Sequence, residues 1–179
     1  MRYYNGRMVI EFYDKLDKEK YINNIRQLLE KCDKEFVPPL SVRQSTTQTS
    51  LKDLNTNSNS IEDYLKNIKD QDIIVALDND IVVGFMTYKK NYTCEHISTN
   101  YSINIYITTI LVDPEFRKRG ITKEFYRLLL DRYGDRYIFT RTWSTNIPHI
   151  NLLTSLNFYE HCVLENDRGH NIDTIYFCR

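Results

Sequence analysis

Apolar residues recur along this chain with two periods, and the switch between them predicts its elements. Met8-Val-Ile-Glu-Phe-Tyr reads as a first strand. From Asp17 to Asp33, Tyr21, Ile22, Ile25, Leu28, Leu29 and Cys32 return at three- and four-residue steps, the mark of a helix with one apolar face. Phe36-Val-Pro-Pro-Leu stops it, because proline cannot continue the backbone pattern. Residues 41–60 are rich in Ser, Thr, Asn and Gln, a long polar loop of the kind that is functional or mobile. Ser60 caps a short helix through Ile68, with Asp63 in the capping-box position. Asp72-Ile-Ile-Val-Ala-Leu and Ile81-Val-Val-Gly-Phe-Met-Thr-Tyr flank Asp78-Asn-Asp as a hairpin. Tyr101 to Val112 and Tyr137 to Thr142 are strands with a helix, Lys123 to Arg132, between them, so they read as a parallel pair joined by a crossover. Ile147 to Leu156 is a short helix with Pro148 in its permissive first turn. Phe158 to Leu164 and Ile172 to Cys178 close a hairpin around Asn166-Asp-Arg-Gly. With no repeat and no linker, the expectation is one α/β domain over residues 1–179.

Composition narrows the function. A chain of 179 residues is long enough to bury one sizeable core. Lys plus Arg and Asp plus Glu are both 24, so the formal net charge is +0, against the basic excess of a nucleic-acid-binding domain. No apolar run approaches the ~20 residues of a membrane span, and the N-terminus carries no signal-peptide core. The four cysteines have no Cys-x-x-Cys spacing, so neither a metal site nor a disulfide scaffold is indicated. The expectation is a cytoplasmic protein with no metal, no nucleic-acid partner and no membrane partner.

The chemistry concentrates in Leu111-Val-Asp-Pro-Glu-Phe-Arg117-Lys118-Arg119-Gly120-Ile121-Thr122. A strand feeds a short basic turn and then a helix N-terminus. Unpaired N–H groups, the positive end of the helix dipole and three cations make an anion cradle there, and Gly120 lets a phosphate approach the backbone. A solvated basic turn has the same composition, so the loop alone leaves both readings open. It is neither a Walker-type loop nor a Gly-x-Gly-x-x-Gly dinucleotide loop. On the preceding strand, Ile103, Ile105, Ile107, Thr109 and Leu111 form a largely apolar face suited to packing under helices. The other face, Asn104, Tyr106, Thr108, Ile110 and Val112, begins with three polar residues. That points to a cleft, although an exposed edge would look the same.

The loop resembles motif A of the GNAT acetyltransferase superfamily, V-x-P-x-x-[RQ]-x-x-G-x-[GA]. Val112, Pro114, Arg117 and Gly120 fall in register, and Thr122 stands where Gly or Ala is usual. Asn146 to Phe158 resembles the second motif, N-x-x-A-x-x-L-Y-x-x-x-G-F. Asn146, Leu152, Leu156 and Phe158 match, whereas His149, Leu153 and Asn157 replace Ala, Tyr and Gly. The resemblance implies a mixed, mostly antiparallel central sheet with one parallel pair, its fourth and fifth strands, flanked by about four helices. It also implies acetyl-coenzyme A as cofactor, held by the backbone of Ile110, Leu111 and Val112 and by Arg117, Lys118, Arg119, Gly120, Ile121, Thr122, Asn146 and Leu153. The Ile110 N–H becomes the oxyanion donor to the thioester carbonyl.

The implied reaction is direct attack by a primary amine of a small molecule or peptide. Many relatives carry a glutamate base on this strand. Tyr106 stands there instead, leaving Tyr106 itself, or Glu95 or His96 acting through water, as candidates. The tyrosine acid of the last helix is replaced by Leu153. His149, His161 and His170 read as surface or capping residues, and Trp143 as wall or core. The missing acid and carboxylate support a second reading, a degenerate domain that binds acyl-coenzyme A as a sensor or regulatory module. The acceptor pocket is expected from the first two helices, the 41–60 loop and the face of Asn104, Tyr106 and Thr108, whose mixed character names no substrate class. GNAT proteins are often dimers, so a homodimer stays open.

Overall fold

The computed structural model describes residues 2–5, 8–13, 18–52, 54 and 60–179. Of the loop expected over residues 41–60, residues 53 and 55–59 lie outside them. Eight described strands form one sheet in the order β1-β2-β3-β4-β5-β6-β8-β7. They are β1 (Arg2–Asn5), β2 (Met8–Tyr13), β3 (Asp72–Asp78), β4 (Ile81–Lys90), β5 (Asn104–Val112), β6 (Tyr137–Trp143), β7 (Tyr159–Leu164) and β8 (Thr174–Cys178). Every pairing is antiparallel except β5 with β6. The parallel pair is thus the expected one. It is fifth and sixth in the chain because β1, Arg-Tyr-Tyr-Asn, carries no alternation that announces a strand.

The helices cover both faces. In α1 (Lys18–Cys32), Tyr21, Ile25, Leu28, Leu29 and Cys32 are all buried, as their spacing requires. α2 (Ile61–Ile68) starts at the expected cap: the Ser60 hydroxyl accepts from the Asp63 N–H at 3.3 Å and donates to its carboxylate at 2.9 Å. These two helices share a core with Ile73, Val75, Phe85 and Leu111. On the other face α3 (Ile121–Tyr133) and α4 (Ile147–Ser155) pack on Ile74, Met86, Ile105, Ile107 and Val112. The β3–β4 turn places Asn79 at φ 50° and Asp80 at φ 63°, the paired positive dihedrals of a tight hairpin.

One irregularity decides the site. Across β4 and β5, Thr87 opposes Thr109 but Tyr88 opposes Ile107, so Thr108 is an extra residue, a β-bulge. A bulge of one residue reverses which face the following side chains use. Ile105 and Ile107 therefore share the α3 face with Ile110 and Val112, whereas Leu111 lies in the α1–α2 core and Thr109 binds the Tyr64 hydroxyl at 2.9 Å. The uninterrupted odd–even alternation expected along this strand is corrected accordingly. The strand also starts three residues later than expected, and Ile103, outside it, is 64% exposed rather than packed under a helix.

Candidate functional site

β5 and β6 are paired over three positions only, Asn104 with Tyr137, Ile105 with Ile138 and Tyr106 with Phe139. Beyond these the strands part. A cavity of about 470 Å³ opens in the gap, lined by β5 from Ile107 to Val112 and by β6 from Thr140 to Trp143. The Asp113 N–H donates to the Val83 carbonyl at 2.9 Å, so by strand alternation the Leu111 peptide also faces β4, and the N–H groups of Ile110 and Val112 face the gap. The Val112 carbonyl accepts from Arg117 Nε at 3.0 Å on that open side. Ile110 thus presents its backbone N–H to the gap. Leu111 contributes wall rather than a gap-facing amide.

The basic loop begins with a turn, Pro114–Phe116, capped by Asp113, which accepts from the Glu115 N–H at 2.9 Å and pairs with Lys31 at 2.9 Å. Gly120 then sits in the left-handed region at φ 78° as N-cap of α3, and an added Cβ would meet nothing within 4 Å. That is open space beside unpaired helix N–H groups. Ile121 is 3% exposed, its side chain locked in the core, so only its backbone can serve; Thr122 lines the cavity. Lys118 adopts φ 60°, and Arg119 stacks over Phe116 at 4.7 Å. Arg117 lines the cavity as well. Its guanidinium meets Glu35 at 2.5 Å, tying the loop to the end of α1, so its charge is balanced within the protein.

On α4, Asn146 lines the cavity at the helix N-terminus and donates to the Thr142 hydroxyl at 3.0 Å. Leu153, expected at the cofactor, does not line the cavity. It is 0% exposed in the core under the sheet, while Leu152 and His149 line the cavity. Residues 149 and 152 share a helix face, and 153 is turned a further ~100° away. Leu153→Tyr should therefore overpack the core and destabilise the fold by about 1–3 kcal/mol, seen as a lower urea midpoint at unchanged slope. An unchanged midpoint would show that this face of α4 has room.

Of the expected catalytic groups, Ile110 lines the cavity, whereas the side chains Tyr106, Glu95 and His96 do not. Tyr106 is 1% exposed, stacked on Tyr92 at 4.7 Å in the last paired register before the strands part. Burial pushes its hydroxyl pKa up. Glu95 and His96 pair with each other at 3.3 Å in the β4–β5 connection, at the end where β5 and β6 are still joined. The gap opens at the other end.

Other side chains occupy it. The His149 ring accepts or donates at 2.8 Å with the Tyr126 hydroxyl of α3, and burial pushes its pKa down to about 4, so it is neutral at pH 7. It stands one helical turn before Leu152 and after Asn146, a spacing that marks a shared face. Trp143, expected as wall or core, lines the cavity and packs on Phe36 at 5.9 Å. Arg43, Arg141 and Arg168 complete the lining, and nothing in their separate sequence surroundings announces them. Among the described residues no cluster of His, Cys, Asp and Glu could hold a metal ion.

Residues 26–162 match the sequence model described as the Acetyltransferase (GNAT) family. No curated protein sequence matches the chain significantly. Among solved structures, the N-acetyltransferase from Staphylococcus aureus Mu50 superposes with a TM-score of 0.65 at 18% identity, over 97% of this chain and 98% of that one. The yncA protein of Salmonella typhimurium, solved with its cofactor acetyl-CoA, gives 0.63 at 16%, over 97% and 94%. The ribosomal-protein-S18-alanine N-acetyltransferase of Escherichia coli gives 0.62 at 14%, over 96% and 92%. At these identities the likeness is one of fold.

Proposed function

The chain belongs to the GNAT acetyltransferase family, enzymes whose acetyl donor is acetyl-coenzyme A, and we propose that it moves the acetyl group to a primary amine of a small molecule or peptide by direct attack. The observation that carries this is the parting of β5 and β6 directly beside the left-handed Gly120 and the open N-terminus of α3. The cradle takes the pyrophosphate and the gap takes the pantetheine arm. Ile110 and Val112 offer the arm their backbone, and the N–H of Ile110 donates a hydrogen bond to the thioester oxygen as its negative charge develops. Lys118, Arg119, Gly120, Ile121, Thr122 and Asn146 hold the cofactor, whereas Arg117 braces the loop from Glu35.

The C–N bond forms as the C–S bond breaks, and the proton shed by the nitrogen ends on sulfur. A thiol of pKa ~8.5 is a fair leaving group. His149, on the same face as the cofactor arm and neutral, supplies a ring N–H to the departing sulfur. The whole chain acts as one domain, a reading supported by its single continuous sheet. Four free thiols, Cys32, Cys94, Cys162 and Cys178, support a reducing, cytoplasmic setting.

Calorimetric titration with acetyl-coenzyme A, against ATP as control anion, tests the reading. One-to-one micromolar binding of the thioester and none of ATP is expected, followed by release of free thiol with an amine acceptor. Equal or absent binding of both would remove the cradle. Binding without turnover on any amine would make the domain a sensor instead of an enzyme.

A further inference from the structure

Facing the gap from the side away from α3 and α4, the chain buries three cations together. Arg43, from the loop after α1, is 5% exposed; Arg168, between β7 and β8, is 7% exposed; Arg141 lies on β6, and all three line the cavity. Thr140 bonds toward Tyr126 on α3, so Arg141, one residue on, faces the opposite side, where it meets Tyr176 and Gln48. The arginines therefore approach the gap from the face opposite the cofactor cradle.

Their hydrogen bonds leave their charges unbalanced. Arg43 donates to the Pro38 carbonyl at 2.7 Å, Arg168 to the Val37 carbonyl at 2.5 Å and Arg141 to the Gln48 carbonyl at 2.5 Å. None of the three forms an ion pair among the described residues. Asp167, the carboxylate that acts on Arg168 through space, spends its oxygens on the Leu51 N–H at 3.0 Å and the Thr174 hydroxyl at 2.6 Å. Glu35, the carboxylate lining the cavity, is taken by Arg117. Burial, then the neighbouring charges of Arg43 and Arg141, pull Arg168 down to about 9, which still leaves it charged at neutral pH. Arg141 Nη2 is shut off from solvent with no hydrogen-bond partner. A buried, unpaired guanidinium donor is costly unless something completes it, and the planar fork matches a carboxylate.

We infer that Arg43, Arg141 and Arg168 are the anion-recognition end of the acceptor pocket, so that the acceptor is an amine bearing a carboxylate, an amino acid or a close analogue. This deepens the acetyl-transfer reading and rests on it. The cluster also repels a second positive charge, which selects against polyamines.

Trp143, the chain's one tryptophan, has Arg168 over its ring at 5.6 Å, so its fluorescence reports the site without turnover. The protein is titrated with a panel of N-acetyl amino acids and with the matching N-acetyl carboxamides, which differ only in the anion. At least one acid should bind, and its amide at least tenfold more weakly, the lower end expected for a hydrogen bond to a charged group. Arg141→Gln should weaken the acid about tenfold to a hundredfold and leave acetyl-coenzyme A binding unchanged, which also verifies that it folds. Arg141→Lys, keeping charge but losing the fork, should fall between. Equal binding of acids and amides, or no acid binding to protein that binds acetyl-coenzyme A, overturns the anion site while sparing the cofactor reading. Loss of acetyl-coenzyme A binding in Arg141→Gln, with folding intact by circular dichroism, overturns it too, because the cluster would then serve the cofactor. Protein that selects an acid but never binds acetyl-coenzyme A would sink the transfer reading instead.

Discussion

Gly120→Asp is expected to weaken acetyl-coenzyme A binding by at least about a hundredfold while leaving the fold intact. Gly120 sits at φ 78° and ψ 8°, and aspartate is one of the few L residues that visits this region, at a cost of about 1 kcal/mol. Its Cβ would touch nothing within 4 Å, so the side chain meets no wall. A carboxylate at a helix start is favourable by about 0.3–1 kcal/mol, which offsets much of the backbone cost. The same carboxylate occupies the N–H groups the phosphates need and repels them. At about 4 Å and an intermediate dielectric, like charges cost on the order of 4 kcal/mol, and each 1.4 kcal/mol is tenfold in affinity. Gly120→Asn, of the same shape without the charge, should stay within about tenfold of the parent by the same arithmetic. Calorimetry separates the cases: equal losses in both variants would make the effect steric, and normal binding by Gly120→Asp would place the cofactor elsewhere.

What the sequence made legible is what periodicity and turn chemistry encode locally. The apolar spacing of Tyr21, Ile25 and Leu29 fixes α1. Ser60 with Asp63 fixes the start of α2, and Asp78-Asn79-Asp80 fixes a hairpin turn whose second and third residues have positive φ. The cradle was legible because its strand, glycine and helix start are contiguous. The bulge at Thr108 was not, since nothing in Asn-Ile-Tyr-Ile-Thr-Thr-Ile-Leu-Val marks where the alternation slips; the slip appears only against Thr87 and Tyr88 of the partner strand. For the same reason unbroken alternation puts Tyr106 on the cleft face, whereas it ends in the Tyr92 stack. Arg43, Arg141 and Arg168 lie about a hundred and then 27 residues apart and meet only once β6, the β7–β8 connection and the loop after α1 fold together. Leu153 failed for a smaller reason: motif register alone set it beside the cofactor, and one residue of helical rotation turned it into the core.

His149→Phe is expected to lower kcat by about tenfold to a hundredfold at pH 7.5, the range for losing a hydrogen bond to a charged group, here the departing thiolate. Phenylalanine keeps the ring volume, and Tyr126 retains Thr140 as a partner, so the loss should be in chemistry rather than in acetyl-coenzyme A affinity. The pH dependence separates this role from a merely structural one. Burial holds the folded pKa at about 4 against an ordinary 6.5, so the imidazole is neutral from pH 5 upward and kcat should show no histidine inflection near 6.5. Stability behaves oppositely. Below 6.5 the unfolded chain takes up the proton that the folded site refuses, so the stability contributed by neutral His149 is present above 6.5, falls with pH, and is lost near 4. His149→Phe should flatten that segment of the melting-temperature profile. A variant that flattens the profile yet turns over at the parental rate would reduce His149 to packing and leave the thiolate to depart unaided. A variant slowed as expected would show that α4 supplies from its first turn a hydrogen-bond donor to the departing sulfur, whose proton comes from the attacking nitrogen.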